Sequence, residues 1–114
     1  MTTAFITHSD CLKHETPPGH PEQVARLKHI LQAVEDLNLL RIEAPLAKNE
    51  NILAVHPQSY IDLIHTSSPE TGMSQLDGDT HMSPGTVTAA YRAAGGAVCA
   101  VDTVISGKAK NAFV

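Results

Sequence analysis

The run SPGTVTAAYRAAGGAVCAVDTVISGKAKNAFV, residues 83–114, decides the fold, because it joins a long helical pattern to the start of a strand. Ser83 reads as an N-cap, Pro84 fits the first turn, and Gly107 marks the end of the helix. Ala89, Ala90, Ala93, Ala94, Gly95, Gly96, Ala97 and Ala100 form a face with almost no side-chain bulk. Each mid-helix glycine costs about 1 kcal/mol relative to alanine. That cost is tolerable where another backbone element packs closely; a sheet or second helix is the expected partner, and the rest of the chain offers few candidates. Ala112, Phe113 and Val114 then read as the opening of a buried strand in a β/α alternation. A domain rarely ends one turn into a core strand, so the sequence reads as truncated at its C-terminus.

Working outward, AFITHS (4–9) is short, apolar and β-branched, and predicts a strand. CLKHETPPG follows as an irregular loop. In PPGHPEQVARL (17–27) the pattern changes: Val24, Leu27, Ile30, Leu31, Val34 and Leu37 recur at helical spacing. A helix starting at His20 would put Pro21 at its first position and the charge of Glu22 near the positive end of its dipole. VHPQSYIDLIH (55–65) repeats the device, with Tyr60, Ile61 and Ile64 inward. Between them lie a short strand at 41–44 and the turn ENILAV, with Asn49 as its cap. Residues 66–82, rich in Ser, Thr, Gly and Asp, read as loop.

With 114 residues, 42% hydrophobic, the chain suits one domain with a modest core. A formal charge of -4, with basic residues scattered, argues against nucleic-acid or anionic-membrane partners. Cys11 and Cys99, far apart in sequence, read as two buried free thiols in a reducing compartment. No secretory signal and no membrane-length apolar run is visible. The expectation is a cytoplasmic protein.

Seven histidines invite a metal hypothesis. His14, His20 and Glu22 give H-x5-H-x-E, which lacks the i, i+3 or i+4 spacing of helical zinc ligands and favours structural use. His56 and His65 are too far apart to share a helix face. LDGDTH carries Asp77, Asp79 and His81, but lacks the turn glycine and distal glutamate of a calcium loop. Asp79 is expected to bond backbone N–H groups of its own turn. There is no nucleophile elbow and no phosphate loop. By residue chemistry alone the chain carries no complete active site.

The order of motifs adds a resemblance. H-x5-H-P-E-x3-R-L, V-H-x2-S-Y-I, D-x-D-T-x-x-S-P-G and Y-x-A-A-G-G-A follow one another from about Ile6 to Val114. The series resembles the N-terminal part of the histone deacetylase family, nearer its class II and bacterial acetylpolyamine amidohydrolase-like members. The resemblance implies a single α/β domain, a mainly parallel sheet with helices on both faces (arginase/deacetylase-like), of which residues 1–114 are an N-terminal fragment. It implies a zinc ion, held by two aspartates and a histidine, that activates water against an acetyl-lysine or acetylpolyamine-type amide. The family's R-P-P-G-H-H-like segment and D-x-H ligand pair lie C-terminal to the matched region. No metal ligand or catalytic residue is therefore expected in this segment, which would be inactive alone.

Two matched positions imply function: Asp79 as a substrate-binding residue at the tunnel rim, and Arg26 as a channel-lining residue, or equally a structural strut. His20 and Glu22 are expected to organise the loop-to-helix corner. The implied partner is an acetylated lysine or small acetylated amine. The alternative is a short non-catalytic binding module derived from the same fold. A weaker third reading is a histidine-based metal-binding domain.

Overall fold

The computed structural model describes residues 1–114. The elements run β1 (Thr3–Thr7), a 3-10 turn (Ser9–Lys13), α1 (Val24–Ala33), β2 (Leu40–Glu43), α2 (Asn49–Leu53) and α3 (Gln58–Ser67). They continue with β3 (Ser74–Asp77), β4 (Thr80–Met82), α4 (Thr86–Ile105) and β5 (Asn111–Phe113). The expected strands near both ends of the chain meet. β1 is central in a parallel sheet of order β2-β1-β5, with Ala4 opposite Leu40 on one side and Ala112 on the other. Parallel neighbours require crossover connections, which α1 and α4 occupy. The fold is α/β, as expected.

Alternation along β1 sorts its side chains to two faces. Ala4 and Ile6, fully buried, join Ala44 and Ala109 in the core, with Ile42, Cys99, Ala100 and Ala112 packed against it. On the other face Phe5 stacks on Phe113, ring centroids 6.0 Å apart, with the Arg41 guanidinium 5.7 Å above the Phe5 ring. Arg41 also donates to the carbonyls of Val34, Glu35 and Leu37, and so caps the end of α1 from the neighbouring strand. Only 13 of 114 residues are buried, and the main buried cluster lies between the sheet and α4.

The glycine pair of α4 is closely packed, and its partner lies within the chain. A Cβ on Gly95 would stand 2.6 Å from the Ala47 nitrogen and overlap the Pro45 carbonyl oxygen. One on Gly96 would meet Val114, Ala44 and Ile6. This corrects the expectation that the chain holds few candidates: the loop after β2 and the strands themselves fill the role. The buried stripe is also narrower than the alanine pattern. Ala89, Gly95, Gly96 and Thr103 are buried, whereas Ala90, Ala93 and Ala97 are exposed. On another side of α4, Val101 and Ile105 are 61% and 82% exposed. Gly107, at φ 78°, closes the helix: its N–H bonds the Val104 carbonyl and the Lys108 N–H bonds that of Thr103.

Several local expectations are corrected, the helix starts because the residues expected to open or cap them are bonded elsewhere. α1 begins at Val24, not His20, since His20 and Glu22 are bonded to each other in a turn of their own. α4 begins at Thr86, with Gly85 at the N-cap, because the Ser83 hydroxyl donates to the Lys13 carbonyl and accepts the Glu15 N–H. Asn49 opens α2 without capping it; its Oδ1 accepts from the Tyr91 hydroxyl. Residues 9–13 form a 3-10 turn, and the expected loop at 66–82 contains the antiparallel hairpin β3–β4. Ile61 is buried and Ile64 half-buried, but Tyr60 is 46% exposed. Cys11 and Cys99 are free and half-buried, less covered than expected.

Candidate functional site

In open parallel sheets, ligands gather outside the carboxyl ends of the strands. The segment 8–23 leaves the carboxyl end of β1, and the hairpin and start of α4 come to meet it. Asp10 fixes the first part. Arg92 Nε donates to its Oδ2 (3.0 Å) while Arg92 Nη1 donates to the Ala44 carbonyl (3.0 Å), and Lys13 holds the other oxygen. The Arg92 and then the Lys13 hydrogen bonds keep the Asp10 carboxyl below the usual range, against the opposing effect of burial. Ser83 and Thr86 fix the second part: the Ser83 N–H donates to Thr86 Oγ1, which also lies 2.7 Å from His14 Nδ1.

Onto this corner folds the tip of the hairpin, Gly78 and Asp79. The Asp77 carboxylate accepts the Asp79 N–H at 2.9 Å, an Asx-type turn. That bond, followed by one from the Thr80 side chain, lowers the Asp77 pKa. The in-turn bonding expected of Asp79 therefore belongs to Asp77. Asp79 is left with its side chain 90% exposed, one carboxylate oxygen turned to His20 Nε2 at 3.1 Å. His20 is 13% exposed, its ring edge-on to His81. Glu22 Oε1 stands 3.5 Å from His14 Nε2.

A cavity of about 420 Å³ opens beside the corner, between α3, the hairpin and the first half of α4. Ile61, Ile64, Leu76, Met82 and Tyr91 supply apolar wall, and His14, His65 and His81 line it with polar edges. The His81 Nδ1 atom is buried without a hydrogen-bond partner. His65 is tied to the Tyr91 hydroxyl (3.2 Å), and His56 stacks on Tyr60 while bonding the Ile52 carbonyl at the end of α2.

The structure thus joins His20, Glu22 and Asp79, three residues singled out in the sequence, and leaves Arg26 apart. Arg26 is exposed on α1, its guanidinium makes no hydrogen bond within the chain, and it lines none of the larger cavities. Sequence reasoning missed the Ser83 clamp, the Arg92–Asp10 pair and the His20–Asp79 contact. Each spans from 59 to 82 residues and has no local spacing signal.

No group of three or more His, Cys, Asp or Glu side chains is placed to hold a metal ion. The residues of this chain therefore do not by themselves fit a zinc site. No helix is long and apolar enough to cross a membrane.

Fold and corner together define an α/β domain with a polar rim at the carboxyl edge of a parallel sheet. The family model for the histone deacetylase domain matches residues 20–114. A probable deacetylase of Archaeoglobus fulgidus is 32% identical over 119 residues, covering 99% of this chain and 33% of the relative. A histone deacetylase-like amidohydrolase of Pseudomonas aeruginosa is 32% identical over 132 residues, covering 97% and 34%. Among solved structures, the HD domain of HDA15 superposes with a TM-score of 0.89 at 25% identity, covering 98% of this chain and 34% of that one. The chain belongs to the histone deacetylase family. It spans about a third of the length of the curated relatives it matches.

Proposed function

We propose that these residues are the N-terminal portion of a zinc-dependent deacetylase that removes acetyl groups from acetyl-lysine or acetylpolyamine-type amides. The observation that carries the reading is Asp79. It is an exposed carboxylate on a braced hairpin tip, in the position where the family resemblance expects a substrate-binding residue. An ionised carboxylate there accepts hydrogen bonds from substrate N–H groups and fixes the pose of the chain bearing the acetyl group. The metal ligands and the acid and base residues lie outside this chain in this reading, and the 114 residues alone are inactive. Arg26 lines an inner channel once further protein covers α1. Two free thiols suit a reducing, cytoplasmic setting.

The test is acetate release by the protein encoded by the reading frame that contains these residues. It is offered an acetyl-lysine peptide and an acetylated polyamine in turn. The expected result is hydrolysis of at least one, lost on chelation and restored by zinc. A zinc-loaded protein that releases acetate from neither would overturn the reading.

A further inference from the structure

We infer that His20 is the positioning residue of Asp79: its Nε2–H holds the Asp79 carboxylate and carbonyl in one pose, so that the helix entrance and the hairpin tip meet substrate as one unit. The inference rests on the reading of Asp79 as a substrate-binding residue and adds what keeps it in place.

His20 Nε2 lies 3.1 Å from Asp79 Oδ1 and 3.2 Å from the Asp79 carbonyl oxygen. Both partners only accept, so Nε2 carries a proton whatever the charge of the ring. On the other side Nδ1 accepts the Glu22 N–H at 3.1 Å. The neutral ring is thereby confined to one tautomer, set by a backbone group two residues away. When the ring is protonated, Nδ1 has the Glu22 carbonyl at 3.2 Å to donate to. The contact with Asp79 survives in both charge states.

The ring itself is held. Its side chain is 13% exposed, against 90% for Asp79, and the His81 ring packs edge-on at 5.8 Å. A solvent-facing carboxylate is thus tied to a largely covered imidazole. The turn is braced from within as well, by Asp77 on the Asp79 N–H. With Oδ1 engaged, Oδ2 makes no hydrogen bond within the chain and is left, in this role, to accept a substrate N–H. Ordering a carboxylate before binding lowers the conformational entropy lost when substrate arrives.

The charged group facing the ring is the Asp79 carboxylate, with the His81 ring edge-on beside it; the Glu22 carboxylate turns to His14 and the Asp77 carboxylate to the Asp79 N–H. Burial opposes charging of His20, but the Asp79 carbonyl and carboxylate and the Glu22 carbonyl outweigh it and raise its pKa. Removing the Asp79 charge should therefore lower the midpoint at which His20 titrates.

The test compares His20→Ala, His20→Gln, Asp79→Ala and the double variant His20→Ala/Asp79→Ala in the acetate-release assay. NMR titration of His20 in the wild type and in Asp79→Asn accompanies it. His20→Ala is expected to raise KM about three- to tenfold, the scale of one net hydrogen bond, with kcat and zinc content little changed. His20→Gln, which keeps an N–H donor, recovers part of the loss, and the double variant is no worse than Asp79→Ala. The His20 midpoint falls in Asp79→Asn. If Asp79→Ala raises KM and His20→Ala does not, the positioning role is wrong and the role of Asp79 stands. If the two changes add independently, or kcat and stability fall together with no Gln recovery, His20 is only structural. If Asp79→Ala leaves KM unchanged, the substrate-binding reading fails and this inference fails with it.

Discussion

Gly95→Leu is expected to destabilise the fold by about 3 kcal/mol or more, at the upper end of overpacking costs. The reason is what the new side chain would strike. Its Cβ would stand 2.6 Å from the Ala47 nitrogen and 2.8 Å from the Leu46 carbonyl carbon, both backbone atoms. That backbone has little freedom to retreat, because the Ala47 N–H donates to the Tyr91 carbonyl of α4 itself at 2.9 Å. At Gly96 the nearest atom is Val114 Cγ1, at 2.9 Å, a side-chain methyl that can move. Gly96→Leu is therefore expected to cost less, about 1–3 kcal/mol. Urea midpoints of the two variants measure the order. Equal midpoints for Gly95→Leu and the wild type would remove close packing as the reason for glycine in mid-helix.

Asp79→Ala is expected to lower kcat/KM by about 10- to 100-fold, mostly through KM, in the protein that contains these residues. The magnitude follows from losing a hydrogen bond to a charged acceptor, worth roughly 1.5–3 kcal/mol, at about 1.4 kcal/mol per decade of rate. Zinc content should not change, since Asp79 faces His20 and solvent and converges with no other metal-ligating group. Metal analysis beside the kinetics separates the outcomes. Loss of zinc in this variant would show that its role has been misassigned.

How far these features could be read in the sequence depended on whether their physics is local. The β1 and β5 strands announced themselves as short apolar runs, and α4 by its length and its closing glycine. Close packing at Gly95 and Gly96 was legible from the cost of mid-helix glycine. Its partner was not, because Pro45–Ala47 is a loop with no periodicity to mark it. The β3–β4 hairpin was hidden for another reason. SQLDGDTHM alternates only weakly, and its buried side is marked by little more than Leu76 and Met82. Helix starts were misplaced where capping residues were used elsewhere. Ser83 looks like an N-cap and is a clamp on residues 13–15, while Pro21 and Glu22 look like a first turn and stand outside α1. At the candidate site, motif order pointed to His20 and Asp79 separately. Their contact spans 59 residues, and only the folded chain brings them together.

In the proposed function these residues form the N-terminal third of a zinc-dependent deacetylase whose metal ligands come from sequence beyond Val114. The most direct measurement is the coding sequence downstream of the Val114 codon in its natural setting. The expected result is an open frame that continues into an R-P-P-G-H-H-like segment and a later D-x-H pair. A stop codon immediately after Val114 would contradict it.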